Sequence, residues 1–150
     1  MDLGYILTSR EGRISRIEWW AGVLTLALVI LAAVVLIGWA FGQTPTGFLV
    51  VLLLEVLLLY PTYALSAKRF QDRDKPGRLA LIGIGVGIAS TVVQVFGLSD
   101  PEAPSVLGGI VGIASMIVGI WYLIELGCLR GTGGPNSYGP DPLGRRTPAG

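Results

Sequence analysis

Four apolar stretches separated by short polar segments set the plan of this 150-residue chain. Residues 19–41 run 23 positions without a charge. At 1.5 Å of rise per residue such a helix reaches about 34 Å, enough to cross a hydrocarbon layer of about 30 Å with some tilt. A short uncharged connection, GQTPT at 42–46, allows the chain to reverse into a second apolar run over 47–67. The third run, 79–98, follows a charged segment, and the fourth, 105–126, follows the turn-rich SDPEAP. The pattern predicts an all-α fold, a four-helix transmembrane bundle with spans at 19–41, 47–67, 79–98 and 105–126. Trp19 and Trp20 at one end of the first run and Trp39 at the other fit interfacial anchors. Pro61 removes a backbone donor from the second run, so a bend is expected between Leu57 and Pro61.

The ends of the chain read differently. Residues 1–18 mix Leu3, Tyr5, Ile6 and Leu7 with Arg10, Arg13 and Arg16, which suits a short N-terminal segment lying at headgroup level. The first run is longer than the apolar core of a cleaved signal, and no A-x-A site follows it, so it is expected to remain as a span. Residues 129–150 are rich in Gly and Pro with no apolar period, which predicts an irregular, largely solvated tail, with Gly131 to Gly144 as a turn-rich cap folding back on the 68–78 loop. The chain therefore divides into an interfacial segment (1–18), a four-span domain (19–128) and a tail (129–150).

Charge orients these spans. All eleven Lys and Arg residues fall before residue 19, within 68–78 or after residue 128, and none falls in the other two connections. Positive charge marks the cytoplasmic side, so both termini and the 68–78 loop are expected there. Hydrophobic residues make up 52% of the chain and mean hydropathy is +0.67, too apolar for an ordinary soluble domain. With one cysteine and no histidine, neither a disulfide nor the commonest metal and general-base chemistry is available. No set of residues amounts to a catalytic, metal or cofactor site, so the chain is read as non-enzymatic and without a cofactor. Cations lying along one membrane face without interleaved aromatics do not suggest nucleic-acid binding.

Three sets of residues are candidates for function. Glu55 lies within the second apolar run, where an ionised carboxyl is costly and is usually protonated, paired or facing water. Thr91 and Gln94 are its nearest polar neighbours by depth, and the choice lies between a neutral carboxyl bonded to Gln94 and a proton- or ion-handling group. Arg13, Arg16, Lys68, Arg69, Asp72, Arg73, Lys75 and Arg78 form a basic face suited to anionic lipid or a partner protein. Glu125 is expected to pair with Lys68, Arg69 or Arg130. Gly83 and Gly87 on the third span, with Gly108, Gly112, Ser115 and Gly119 on the fourth, form small-residue stripes that let helices approach closely. Packing of the third span on the fourth is the expected use, a homo-oligomer seam the rival.

Three stretches, taken together, resemble one family. Gly12, Arg13, Arg16, Glu18, Trp19 and Trp20 resemble a G-R-x-x-R-x-E/Y-W opening. Lys68, Arg69, Phe70, Asp72, Lys75 and Gly77 are similar to an R-R-L-H-D-x-G-x-S-G-W-W loop, and Gly134, Asn136, Tyr138, Gly139, Asp141 and Pro142 to a G-x-N-x-Y-G-x-D-P ending. These belong to the domain of unknown function 805 family of small bacterial inner-membrane proteins. Gln71 stands where that family usually has His, and Arg78 and Leu79 replace its Trp pair. The resemblance implies a helical inner-membrane protein and no particular activity. The reading is an accessory or structural subunit contacting lipid, a membrane-protein partner or its own copies, with a small oligomeric transporter or channel using Glu55 as the alternative.

Overall fold

The computed structural model describes residues 3–42, 44–98 and 105–144; Arg145, Arg146 and the 99–104 connection lie outside them. Three of the four spans start where a side chain caps them. Ser15 opens α2 (Arg16–Phe41): its hydroxyl accepts from the Glu18 amide, and the Glu18 carboxylate accepts from the Ser15 amide at 2.8 Å. This reciprocal pair satisfies donors that a helix start leaves open, so α2 begins ahead of the apolar run at residue 19. Thr44 caps α3 (Pro45–Asp72), whose first position is a proline, where a missing N–H costs nothing. Helix α3 runs unbroken through Pro61. A 3-10 turn (Gly77–Leu79) leads into α4 (Ala80–Val95). Ser105 caps α5 (Val106–Tyr122), which continues into a π-helical turn, Leu123–Cys128. A short α1 (Leu3–Thr8) precedes them all.

The fold is an all-α bundle with four helices long and apolar enough to cross a membrane, as the hydropathy pattern predicts. Helix α3 is its axis, packing on α1, α2, α4 and the π-helical turn. Among the described residues, α5 packs along α4 and not on α2 or α3. Only its π-helical extension reaches α2 and α3, so the bundle closes at the end where the cations gather and stands open at the other. The buried core sits at that basic end: Ile6 of α1, Ile14, Trp19 and Leu26 meet Leu65 and Phe70 of α3, with Leu126 of the π-helical turn. Phe70, Trp121 and Tyr122 form a ring cluster with centroids 5.2 to 5.6 Å apart. Most large apolar residues farther out remain exposed, as expected of a lipid-facing surface.

Two expectations need correction. A Cβ added to Gly83 would lie 2.7 Å from the Tyr122 ring, but one added to Gly87, Gly112 or Gly119 would meet nothing within 4 Å. The expected packing of α4 on α5 is present, and its hydrogen bonds run from the Gly83 amide to the Tyr122 phenol at 2.9 Å and between Ser90 and Ser115 at 2.9 Å. Gly83 and Ser115 of the expected stripes thus serve this contact, whereas Gly87, Gly112 and Gly119 do not. Gly108 is crowded by the Leu98 carbonyl across the connection and not by a facing helix. The second correction concerns the tail. Residues 129–144 are irregular and fold back on the 68–78 segment, as expected, but they are pinned there and not loosely held in solvent: the Thr132 amide donates to the Asp72 carbonyl at 2.9 Å and the Asn136 side chain to the Gln71 carbonyl at 2.9 Å.

Candidate functional site

At the basic end, residues expected on an outward loop are turned inward. Helix α3 extends past residue 67 to Asp72, so Lys68, Arg69 and Asp72 occupy its last turns and not a loop. Lys68 and Arg69 are 0% exposed, Asp72 1% and Arg13 5%. Asp72 is the hub. One carboxylate oxygen accepts from Arg13 at 3.0 Å and the other from Arg69. Two guanidiniums on one carboxylate leave an excess positive charge, and backbone carbonyls absorb it. Arg13 donates to the carbonyls of Thr132 (2.6 Å), Gly134 (2.7 Å) and Gly139 (3.2 Å). Arg69 donates to those of Leu126 at 2.7 Å and Leu129. A helix end leaves its last carbonyls without intrahelical partners and carries a partial negative charge, so cations there are doubly favoured.

The remaining cations divide between this clasp and the surface. Lys68 donates to the Tyr5 carbonyl and lies 4.4 Å from the centre of that ring, which ties α1 to α3 together with a 2.7 Å bond from the Tyr60 hydroxyl to the Thr8 carbonyl. Burial raises the Tyr5 phenol above its ordinary pKa, and the Glu18 carboxylate adds to the rise. Arg16 donates to the Cys128 carbonyl at 2.8 Å. Glu125 takes Arg73 and Lys75, each at 2.6 Å, in place of the expected Lys68, Arg69 or Arg130. Lys68 and Arg69 are already engaged elsewhere, while Arg73 and Lys75 follow the end of α3 and reach Glu125 in the π-helical turn. Arg10, Arg78 and Arg130 are exposed.

Sequence reading did not find Thr132 or the Ser15 cap, although Ser15-x-x-Glu18 before an apolar run is a signature of a helix start. Gly131 lies so close to α3 that an added Cβ would overlap the Asp72 carboxylate. Beside it is a polar recess of about 180 Å³ lined by Ser15, Arg16, Asp72, Arg130, Gly131 and Leu143.

Glu55 lies far from this clasp, on a groove of about 500 Å³ between α2, α3 and α4. The groove is apolar except for Glu55, Thr62 and Thr91. The Thr91 hydroxyl donates to the Glu55 carboxylate at 3.1 Å, while Gln94 is exposed and does not line the groove. Glu55 is thus neither sealed against Gln94 nor set in a polar channel. Among the described residues, no cluster of His, Cys, Asp and Glu is arranged to hold a metal ion.

Four apolar spans, with Arg13, Asp72 and the tail clasped at one end, define a multi-pass helical membrane protein. The three sequence stretches that meet in the clasp are those on which the resemblance rested. The chain belongs to the family described as protein of unknown function (DUF805), which it matches over residues 7–140. Neither the curated proteins nor the solved structures include a match to it.

Proposed function

We propose that this protein is a non-enzymatic accessory or structural subunit of the bacterial inner membrane, with both termini in the cytoplasm. Its basic end would rest on anionic lipid headgroups or on a membrane-protein partner. The observation that carries this reading is the division of labour among the cations. Arg13, Lys68 and Arg69 lock α1, α3, the last span and the tail into one body, and Arg10, Arg78 and Arg130 project from it. A preassembled platform with free cations suits docking: ordering is complete before contact, and each cation near an anionic surface contributes about 1 kcal/mol. The orientation follows from the segregation of charge. The test is reconstitution in bilayers of phosphatidylcholine with and without phosphatidylglycerol, followed by thermal unfolding. The anionic lipid should raise the midpoint, and added salt should reduce the gain. Equal midpoints in the two bilayers would reject the lipid reading.

A second reading, transport by an oligomer using Glu55, is favoured by one observation, the bond from Thr91 at the edge of the α2–α3–α4 groove. Glu55→Gln separates the two. Glutamine keeps shape and hydrogen-bonding capacity, so an accessory protein should retain its cellular role. A folded Glu55→Gln protein that lost that role would promote the transport reading.

A further inference from the structure

Resting on the lipid-facing reading above, we propose that the recess between Ser15, Arg16, Asp72, Arg130, Gly131 and Leu143 is a binding site for a phosphate group. Two arginines line it, Arg16 and Arg130. Arg130 is exposed and its side chain has no partner among the described residues, while Arg16 engages only one of its terminal nitrogens, with the Cys128 carbonyl at 2.8 Å. Planar guanidinium forks match the oxygens of phosphate.

The acids nearby do not oppose this. Both oxygens of Asp72 are held by Arg13 and Arg69, so the floor of the recess carries two cations for one anion. Glu18 is turned back onto the Ser15 amide and hydroxyl, at 2.8 and 2.9 Å. That capping box also occupies the opening of α2, so the attraction comes from Arg16 and Arg130 and not from the helix end. A volume of about 180 Å³ equals about six waters at about 30 Å³ each, room for a tetrahedral oxyanion with part of its hydration. Arg16 lies one turn before Trp19 and Trp20, an aromatic pair of the kind found at headgroup depth. Leu143 gives the recess one apolar wall.

The phosphate could be that of a lipid headgroup or a soluble one, and the experiment separates them. Wild type, Arg130→Gln and Arg78→Gln are purified in mild detergent. Each is titrated with phosphatidylglycerol, phosphatidylcholine or inorganic phosphate, with thermal unfolding and retained lipid by native mass spectrometry as readouts. Arg130 contributes only its carbonyl to the clasp, accepting from Arg73 at 3.1 Å, so its substitution should leave the fold intact. Arg78 is an exposed cation that does not line the recess. Arg130→Gln should weaken phosphatidylglycerol binding about tenfold or more, the usual effect of losing a charge-assisted hydrogen bond, and Arg78→Gln should weaken it by no more than about fivefold, the effect of one surface cation outside the recess. The same Arg130-dependent protection by inorganic phosphate would support the site with a soluble anion as occupant, and would set aside the lipid reading alone. Equal weakening by the two substitutions would overturn the recess while leaving a diffuse attraction to anionic lipid in place. No binding of either probe to the wild type would overturn both.

Discussion

Asp72 is the residue on which the basic end turns, because it is the single carboxylate between two buried guanidiniums. Removing it would leave Arg13 and Arg69 uncompensated in the interior. A broken buried pair costs about 3–5 kcal/mol, against about 1 kcal/mol or less for an exposed one. Asp72→Asn should therefore sharply lower the thermal midpoint in detergent, while Lys75→Gln, which alters a half-exposed pair with Glu125, should shift it little. Similar midpoints for both variants would show that Asp72 is not the hub. The glycines allow an equally direct comparison. Gly83→Ala places a methyl against the Tyr122 ring and should reduce the yield of monodisperse protein, whereas Gly112→Ala meets no neighbour within 4 Å and should be tolerated or slightly stabilising. Equal yields would show that Tyr122 can move aside. Spacing alone could not have separated these glycines, because a row of small residues looks the same in sequence whether it faces a helix or open space.

Among the elements, the tail is the one whose role exceeds its appearance. Its described residues have no regular structure beyond a single bridge between Asn136 and Gly139, yet they supply three carbonyls to Arg13 and cap the carbonyls of Gln71 and Asp72. A chain ending after Arg130 should lose those bonds, expose Arg13 and Asp72, and become susceptible to protease near the end of α3. Proteolysis of membranes carrying full-length and shortened protein measures this; unchanged resistance would show that the tail is passive. The extent of α3 was legible only in part. Its apolar run ends by residue 67, and the charges after it suggest water, but the helix continues because Lys68 and Arg69 find acceptors on α1 and the last span. Those partners are 57 to 63 residues away in sequence, beyond the reach of any local pattern.

For the whole molecule, the number of spans and their approximate limits were legible, since bilayer thickness imposes a length that composition reveals. The contact of the third span with the fourth was legible as well, but α3 as the axis and the open end of the bundle are facts of packing alone. The proposed orientation can be tested with cysteines placed in a Cys128→Ser background. Thr46→Cys should react with an impermeant thiol reagent in intact cells, and Ser137→Cys should not; both positions are exposed on the protein. Labelling at 137 from outside would reverse the topology. The clasp also bears on how the chain comes to be made. The carbonyls that receive Arg13 lie 119 to 126 residues downstream of it. At about 5–20 residues per second, the early part of the nascent chain waits about 6–25 s for them. During that interval all four spans can insert, but the guanidinium stays unpaired, so emergence of the tail is the event that distinguishes a finished molecule from an interrupted one. A protease that attacks the loose basic end would thereby remove truncated copies and spare complete ones.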